Sequence, residues 1–230
     1  MISKLLSTAV KLYLRSQLRR VEELQVNIVG NNQQILQGYI PQVLLNCNRA
    51  IYQGLHLQKV ELNGSNIAFN LPEVLKKKPL RLLEPVFVTI KLELNVADLQ
   101  ASLSSYLLQN ALFDLWQMIL AAQQIDPALS ELANLKIEWH KIAIANKELN
   151  LRGTYGDAYG KSSELYLSTG IVLADSNTLC LSPLKILSDL FSLEDLENQL
   201  KIDLGTDVAI EQLVIKSEQI ICAGKIKINN

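Results

Sequence analysis

The chain has 230 residues, 49% of them hydrophobic and 20% charged, a globular composition that excludes a disordered polypeptide. A net charge of −1 supplies no overall field for nucleic acid, and no nucleic-acid partner is expected. Cys47, Cys180 and Cys222 are odd in number and show no CxxC spacing. That disfavours a disulfide framework or a zinc site and favours a reducing compartment.

In chain order, Ser3 to Val21 reads as an amphipathic helix. Lys4, Lys11, Arg15 and Arg19 share one face, and Leu5, Leu6, Ala9, Val10, Leu12, Tyr13 and Leu14 fill the other. A helix packed on the core is favoured over one lying on a membrane. The apolar run Leu5–Val10 is short and its cations follow it, so no signal peptide is expected. Leu24, Val26 and Ile28 alternate as a strand. Leu55–Leu62 and Ile67–Leu71 flank Asn63-Gly64-Ser65-Asn66, which predicts a hairpin ending at Pro72. Lys76, Lys77, Lys78 and Arg81 then form a basic cluster beside Leu80, Leu82 and Leu83. It is either a solvated loop or a docking site for anionic headgroups.

Val86, Val88, Ile90, Leu92 and Leu94 alternate with Phe87, Thr89, Lys91, Glu93 and Asn95, the cleanest period-two run in the chain. The run feeds VADLQASLSSYLLQNALFDLWQMILAA, Val96 to Ala122, which predicts one long helix or two abutting ones. Leu99, Leu103, Tyr106 and Leu107 make a stripe on its first half. Its second half is apolar nearly all round and so must be surrounded. Gln109, Asn110, Asp114 and Gln117 are too polar for a membrane span.

The second half of the chain carries two similar hairpins, at Ile137–Gly153 and Ile210–Gly224, whose cores align at an offset of 71 residues, Ile142 on Leu213 and Gly153 on Gly224. Between them, Glu164–Ala174 and Thr178–Leu181 read as a strand pair. Pro183–Leu200 reads as helical, with Ser182 as its cap. GTYGDAYG, Gly153 to Gly160, precedes no helix N-terminus and reads as a hairpin tip bearing Tyr155 and Tyr159 rather than a phosphate cradle.

Familiar catalytic signatures are missing: there is no HExxH, GxSxG, Walker or GxGxxG pattern. His56 and His140 lie far apart in strand patterns and read as structural. No catalytic residue, metal or cofactor is expected. His140 with Glu138 is the one polar pair that an enzyme would use.

Several strings together resemble the LmeA-like phospholipid-binding family. They are QILQGYIPQVLLNCNRAIYQGLHLQKVELNGSNIAFNL, KPLRLLEPVFVTIKLELNVADLQASLSSYLL and the closing hairpin. RAIYQGLHL (Arg49–Leu57), KPLRLLEPV (Lys78–Val86) and ADLQASL (Ala97–Leu103) are the most specific parts, and the likeness spans roughly Leu5 to Ile228. The resemblance implies a fold like that of the tubular lipid-binding proteins and a phospholipid or related membrane lipid as partner. Envelope-associated relatives carry an export signal that this chain does not show. A cytoplasmic protein, peripheral on the cytoplasmic face of a membrane, is expected instead.

The expected fold is therefore α+β: a long curved antiparallel sheet wrapped around a long apolar helix, in a single domain over 1–230. The N-terminal helix occupies 3–21, the central helix 96–122 and the C-terminal hairpin 208–228. The cavity lining is expected from Val88, Ile90, Leu92, Leu99, Leu103, Leu107, Phe113 and Trp116. Headgroup contacts are expected from Lys76, Lys77, Lys78 and Arg81. The alternative is a non-catalytic protein-interaction module whose core is filled by the same side chains.

Overall fold

The structure is a computed structural model that describes residues 2–74, 76, 78, 81–122, 136–156, 162–188, 192–193 and 199–229. Its first half runs α1 (Ile2–Gln17), β1 (Leu18–Val29), α2 (Asn32–Leu36), β2 (Tyr39–Tyr52), β3 (Leu55–Ala68), α3 (Leu71–Val74), β4 (Val86–Asn95), α4 (Val96–Ser102) and α5 (Tyr106–Ala122). The second half is all strand among the described residues: β5 (Ile137–Ala145), β6 (Glu148–Gly156), β7 (Ser162–Asp175), β8 (Thr178–Ser188), β9 (Ser192–Leu193), β10 (Leu200–Asp203), β11 (Val208–Lys216) and β12 (Gln219–Ile228). These strands make two antiparallel sheets. Sheet 1 has the order β1-β2-β3-β4-β12-β11, and sheet 2 the order β10-β8-β7-β6-β5 with β9 on β8.

This corrects the expected fold. The sheets are two, flat and uncurled, and the helices are short, so no curved sheet wraps a long apolar helix. The stretch 96–122 is two helices because its serines compete for the backbone. The Ser102 hydroxyl donates to the Asp98 carbonyl at 2.6 Å and accepts the His56 N–H at 2.8 Å. Ser105 Oγ accepts the Leu108 N–H at 3.2 Å and so caps α5. The apolar surface of α5 is also not surrounded. Leu112, Trp116, Ile119 and Leu120 are buried against Leu151, Leu165, Leu167 and Ile186 of sheet 2. Tyr106, Phe113 and Met118, on its other sides, are 72%, 55% and 41% exposed.

Local turn chemistry explains other departures. The hairpin expected at Asn63–Asn66 is absent: β3 runs through it, and Gly64 pairs with Val88 of β4. The chain turns at Gln53-Gly54 instead, where both residues have positive φ (49° and 83°), as a two-residue type I′ connection requires. Leu18–Val21, assigned to the first helix by periodicity, begins β1. Pro183 does not open a helix. It lies inside β8 after a cis peptide bond, where the β7–β8 register shifts between Thr169 and Ile171. Tyr155 is a buried side chain of β6, 1% exposed, rather than part of a hairpin tip; Tyr159 and most of Pro183–Leu200 beyond β8 lie outside the described residues.

The two similar hairpins, β5–β6 and β11–β12, belong to different sheets yet share a device. Each carries a bulge at the same place, between Trp139 and Lys141 and between Ile210 and Gln212, and each sets a glycine opposite it. A Cβ on Gly153 would stand 2.8 Å from the Glu138 carbonyl oxygen, and one on Gly224 would stand 2.3 Å from that of Ala209. The glycine lets the bulged backbone approach.

Three substitutions separate these forces. Leu120→Ala, in the closed core, is expected to cost about 2–5 kcal/mol in equilibrium denaturation. Gly224→Ala is expected to cost about 1–3 kcal/mol through the forced backbone shift, whereas Gly156→Ala, with nothing within 4 Å, should be near neutral. Equal stability of all three variants would refute both assignments.

Candidate functional site

Pairing register carries side chains of one kind across all of sheet 1, because directly opposed residues share a face. One row is Leu24–Cys47–Val60–Leu92–Cys222–Leu213, and the next is Val26–Leu45–Leu62–Ile90–Gly224–Ile210. The third is Ile28–Val43–Gly64–Val88–Ile226–Val208. All three rows are apolar or glycine from edge to edge. At about 4.8 Å between strands they cover a face about 24 Å wide. The opposite face is polar, with rows such as Gln25–Asn46–Glu61–Lys91–Ala223–Gln212 and ion pairs Lys59–Glu61 at 2.5 Å and Lys91–Glu93 at 3.6 Å.

Helix α1 covers part of the apolar face. Ile2, Leu6 and Val10 pack with Ile28, Val26 and Val43, and Leu14 packs with Leu24 and Cys47. At the far end, Leu94 and Ile220 join the core of sheet 2. Between these supports lie Leu62, Val88, Ile90, Leu92, Val208, Ile210, Leu213, Cys222 and Ile226. Each is half-buried, and none is among the side chains packed onto the three buried clusters. This apolar strip of β3, β4, β12 and β11, called the trough below for its place between the two supports, is the candidate site.

The residues expected to line one cavity fall in two places. Val88, Ile90 and Leu92 lie on the trough floor. Leu99, Leu103 and Trp116 are 6%, 7% and 1% exposed in the core of sheet 2, and Leu107 is half-buried on α5. Leu103, Phe113 and Trp116 do meet at a separate open cleft of about 890 Å³, with Ile137 and Trp139. Its rim is polar: Gln100, Gln109, Asn110, Lys136, Glu138 and His140. The trough is not legible in the sequence because only β4 alternates cleanly; the other three strands join it through register.

The basic segment enters β4 at Val86, beside the third apolar row. The Arg81 N–H donates to Asn70 Oδ1 at 2.7 Å, and the Arg81 carbonyl accepts the Asn70 N–H at 3.2 Å. Leu82 bridges Phe69. These contacts tie Arg81 and Leu82 to the end of β3. Lys76, Lys78 and Arg81 are exposed, with Lys78 3.9 Å from Glu73; Lys77 lies outside the described residues.

The polar groups show structural roles. The Gln100 amide donates to the His140 carbonyl at 2.8 Å and accepts the Ile142 N–H at 2.9 Å, satisfying the bulged edge strand β5. His140 Nε2 lies 2.7 Å from Thr154 Oγ1. No group of three or more metal-ligating side chains occurs among the described residues. Burial pushes the Cys47 and Cys222 thiols up from their ordinary value.

The chain matches the family model described as LmeA-like phospholipid-binding over residues 1–225, and it belongs to that family. Neither the curated proteins nor the solved structures yield a match. The family is one of lipid binding rather than catalysis.

Cys222 reports on the trough. With its thiol raised, it is expected to react with a small maleimide more slowly at pH 7 than an exposed cysteine. Its rate should climb about tenfold per pH unit as the thiolate fraction grows. Peptide mass mapping of a timed reaction reads this site by site. A fast, pH-insensitive reaction would show that the trough does not shield it.

Proposed function

We propose that this chain binds a phospholipid or related membrane lipid, without covalent catalysis, by laying acyl chain against the apolar trough of sheet 1. Membership of a phospholipid-binding family supports the ligand class. The observation that supports the place is the set of nine half-buried apolar side chains that the protein's own clusters leave out. Each methylene moved from water onto such a surface gains up to about 0.8 kcal/mol. In this reading Val88, Ile90 and Leu92 contact the acyl chain. Phe113, at the cleft with Leu103 and Trp116, supplies a second contact with more polar surroundings, and Leu99 and Leu107 back it from the helices. The whole chain, 1–230, acts as one lipid-binding unit.

Lys76, Lys77, Lys78 and Arg81 take the headgroup in the same reading. Arg81 is tied to Asn70 at the end of β3, and cations near an anionic surface contribute about 1 kcal/mol each. No helix among the described residues is long and apolar enough to cross a membrane. Contact is proposed to be peripheral, on an anionic face. The three free cysteines fit a reducing, cytoplasmic side.

Native mass spectrometry followed by organic extraction tests the reading. Wild-type protein, as purified or after incubation with liposomes, is expected to carry a mass that extracts as membrane lipid. Leu92→Asn should lose it while costing less stability than Leu120→Ala, because Leu92 is not in the closed core. A clean apo mass after liposome incubation would end the proposal. Glutamate at Lys76, Lys77, Lys78 and Arg81 together should weaken binding to phosphatidylglycerol vesicles roughly tenfold or more; unchanged binding removes the headgroup role.

A further inference from the structure

Helix α1 presents two apolar surfaces, and only one of them is used inside the protein. Ile2, Leu6, Val10 and Leu14 recur every four residues and pack on sheet 1. Leu5, Leu12 and Tyr13 point elsewhere and are 68%, 63% and 63% exposed. On a helical wheel at about 100° per residue, Lys4, Lys11 and Arg15 form a row within about 40°, beside Leu5 and Leu12 on the side away from sheet 1, while Tyr13 projects near the edge of the sheet-facing side. None of these three cations has an ion-pair partner among the described residues.

The charge distribution identifies the occupant. Residues 1–21 hold five of the chain's 22 basic residues and none of its 23 acidic ones. A locally cationic helix with large apolar side chains outward, on a chain that is otherwise acidic, complements an anionic lipid surface. The N-terminus of α1 lies beside α2, where the Ile2 N–H donates to Asn32 Oδ1 at 3.1 Å. There α2 adds Leu36, 60% exposed.

We infer that α1 is the membrane-docking element of this protein: it seats Leu5, Leu12 and Tyr13 in the interface of an anionic bilayer, with Lys4, Lys11 and Arg15 on the headgroups. This deepens the membrane-contact part of the proposed function, and it does not depend on lipid occupying the trough.

The test is flotation of the full chain with phosphatidylcholine vesicles, alone or mixed with phosphatidylglycerol. Wild-type protein is expected to float with the anionic vesicles, less so at high salt. K4E/K11E/R15E should lose roughly a hundredfold in affinity, and L5S/L12S/Y13S roughly tenfold or more. Both should keep the wild-type melting temperature and the lipid content seen by native mass spectrometry. A Tyr13→Trp variant should shift its emission to the blue on anionic vesicles. Vesicle binding that persists in Leu92→Asn, where bound lipid is lost, supports α1 as a docking element separate from the trough. Wild-type protein that fails to float, charge or apolar variants that float undiminished, or indole emission of the Tyr13→Trp variant unmoved by vesicles would each overturn the inference.

Discussion

The pairing register of sheet 1 is the constraint on which the rest of the molecule depends. Side chains alternate across a strand with a period of two, so a one-residue slip of any strand would carry its apolar set to the wrong face. Six strands obey the same register over three rows, which leaves Lys59, Glu61, Lys91 and Glu93 together on the solvent side. That polar face is what fixes the register, because burying those charges would cost far more than the slip could return. The consequence is a wide inner face that, among the described residues, is packed mainly at its two ends. Helix α1 reaches its first two strands, and Leu94 with Ile220 reaches only its far end.

Sheet 2 solves the same problem differently. Its inner residues Leu151, Leu165, Leu167 and Ile186 are each 2% exposed or less, closed over by Trp116, Ile119 and Leu120 of α5. The helix that covers an apolar sheet face is therefore committed to sheet 2, and among the described residues sheet 1 has no second helix over its trough. Among the described residues, sheet 2 therefore has a closed core, whereas the central apolar rows of sheet 1 are only half-buried.

Legibility in the sequence follows the range of the interactions. The β4 strand is readable because its alternation is local, and the Asn146-Lys147 turn is readable because polar residues mark it; both have positive φ there. The Gln53-Gly54 turn is masked by Asn63-Gly64, whose composition is more turn-like. Tertiary pairing of Gly64 with Val88 and of Ser65 with Gln42 decides between them. The stretch 96–122 is legible as one helix or two, and the Ser105 cap on Leu108 marks where the second begins. The candidate lining set is apolar throughout but joins what the fold separates. Leu99 and Trp116 have the same chemistry as Ile90 and Leu92, and nothing local says which of two apolar surfaces will be covered.

The glycines on the trough argue that its shape follows from the backbone rather than from a ligand. Gly224 sits where a Cβ would meet the Ala209 carbonyl oxygen at 2.3 Å, so the bulge of β11 alone requires it. The equivalent bulge opposite Gly153 occurs in sheet 2, where the face is filled. The same hairpin device thus serves a closed face and an open one. What distinguishes them among the described residues is packing: α5 closes the core on sheet 2, while on sheet 1 only Leu94 and Ile220 join that core. In the proposed reading, lipid would meet the half-buried side chains of four strands rather than a single polar anchor.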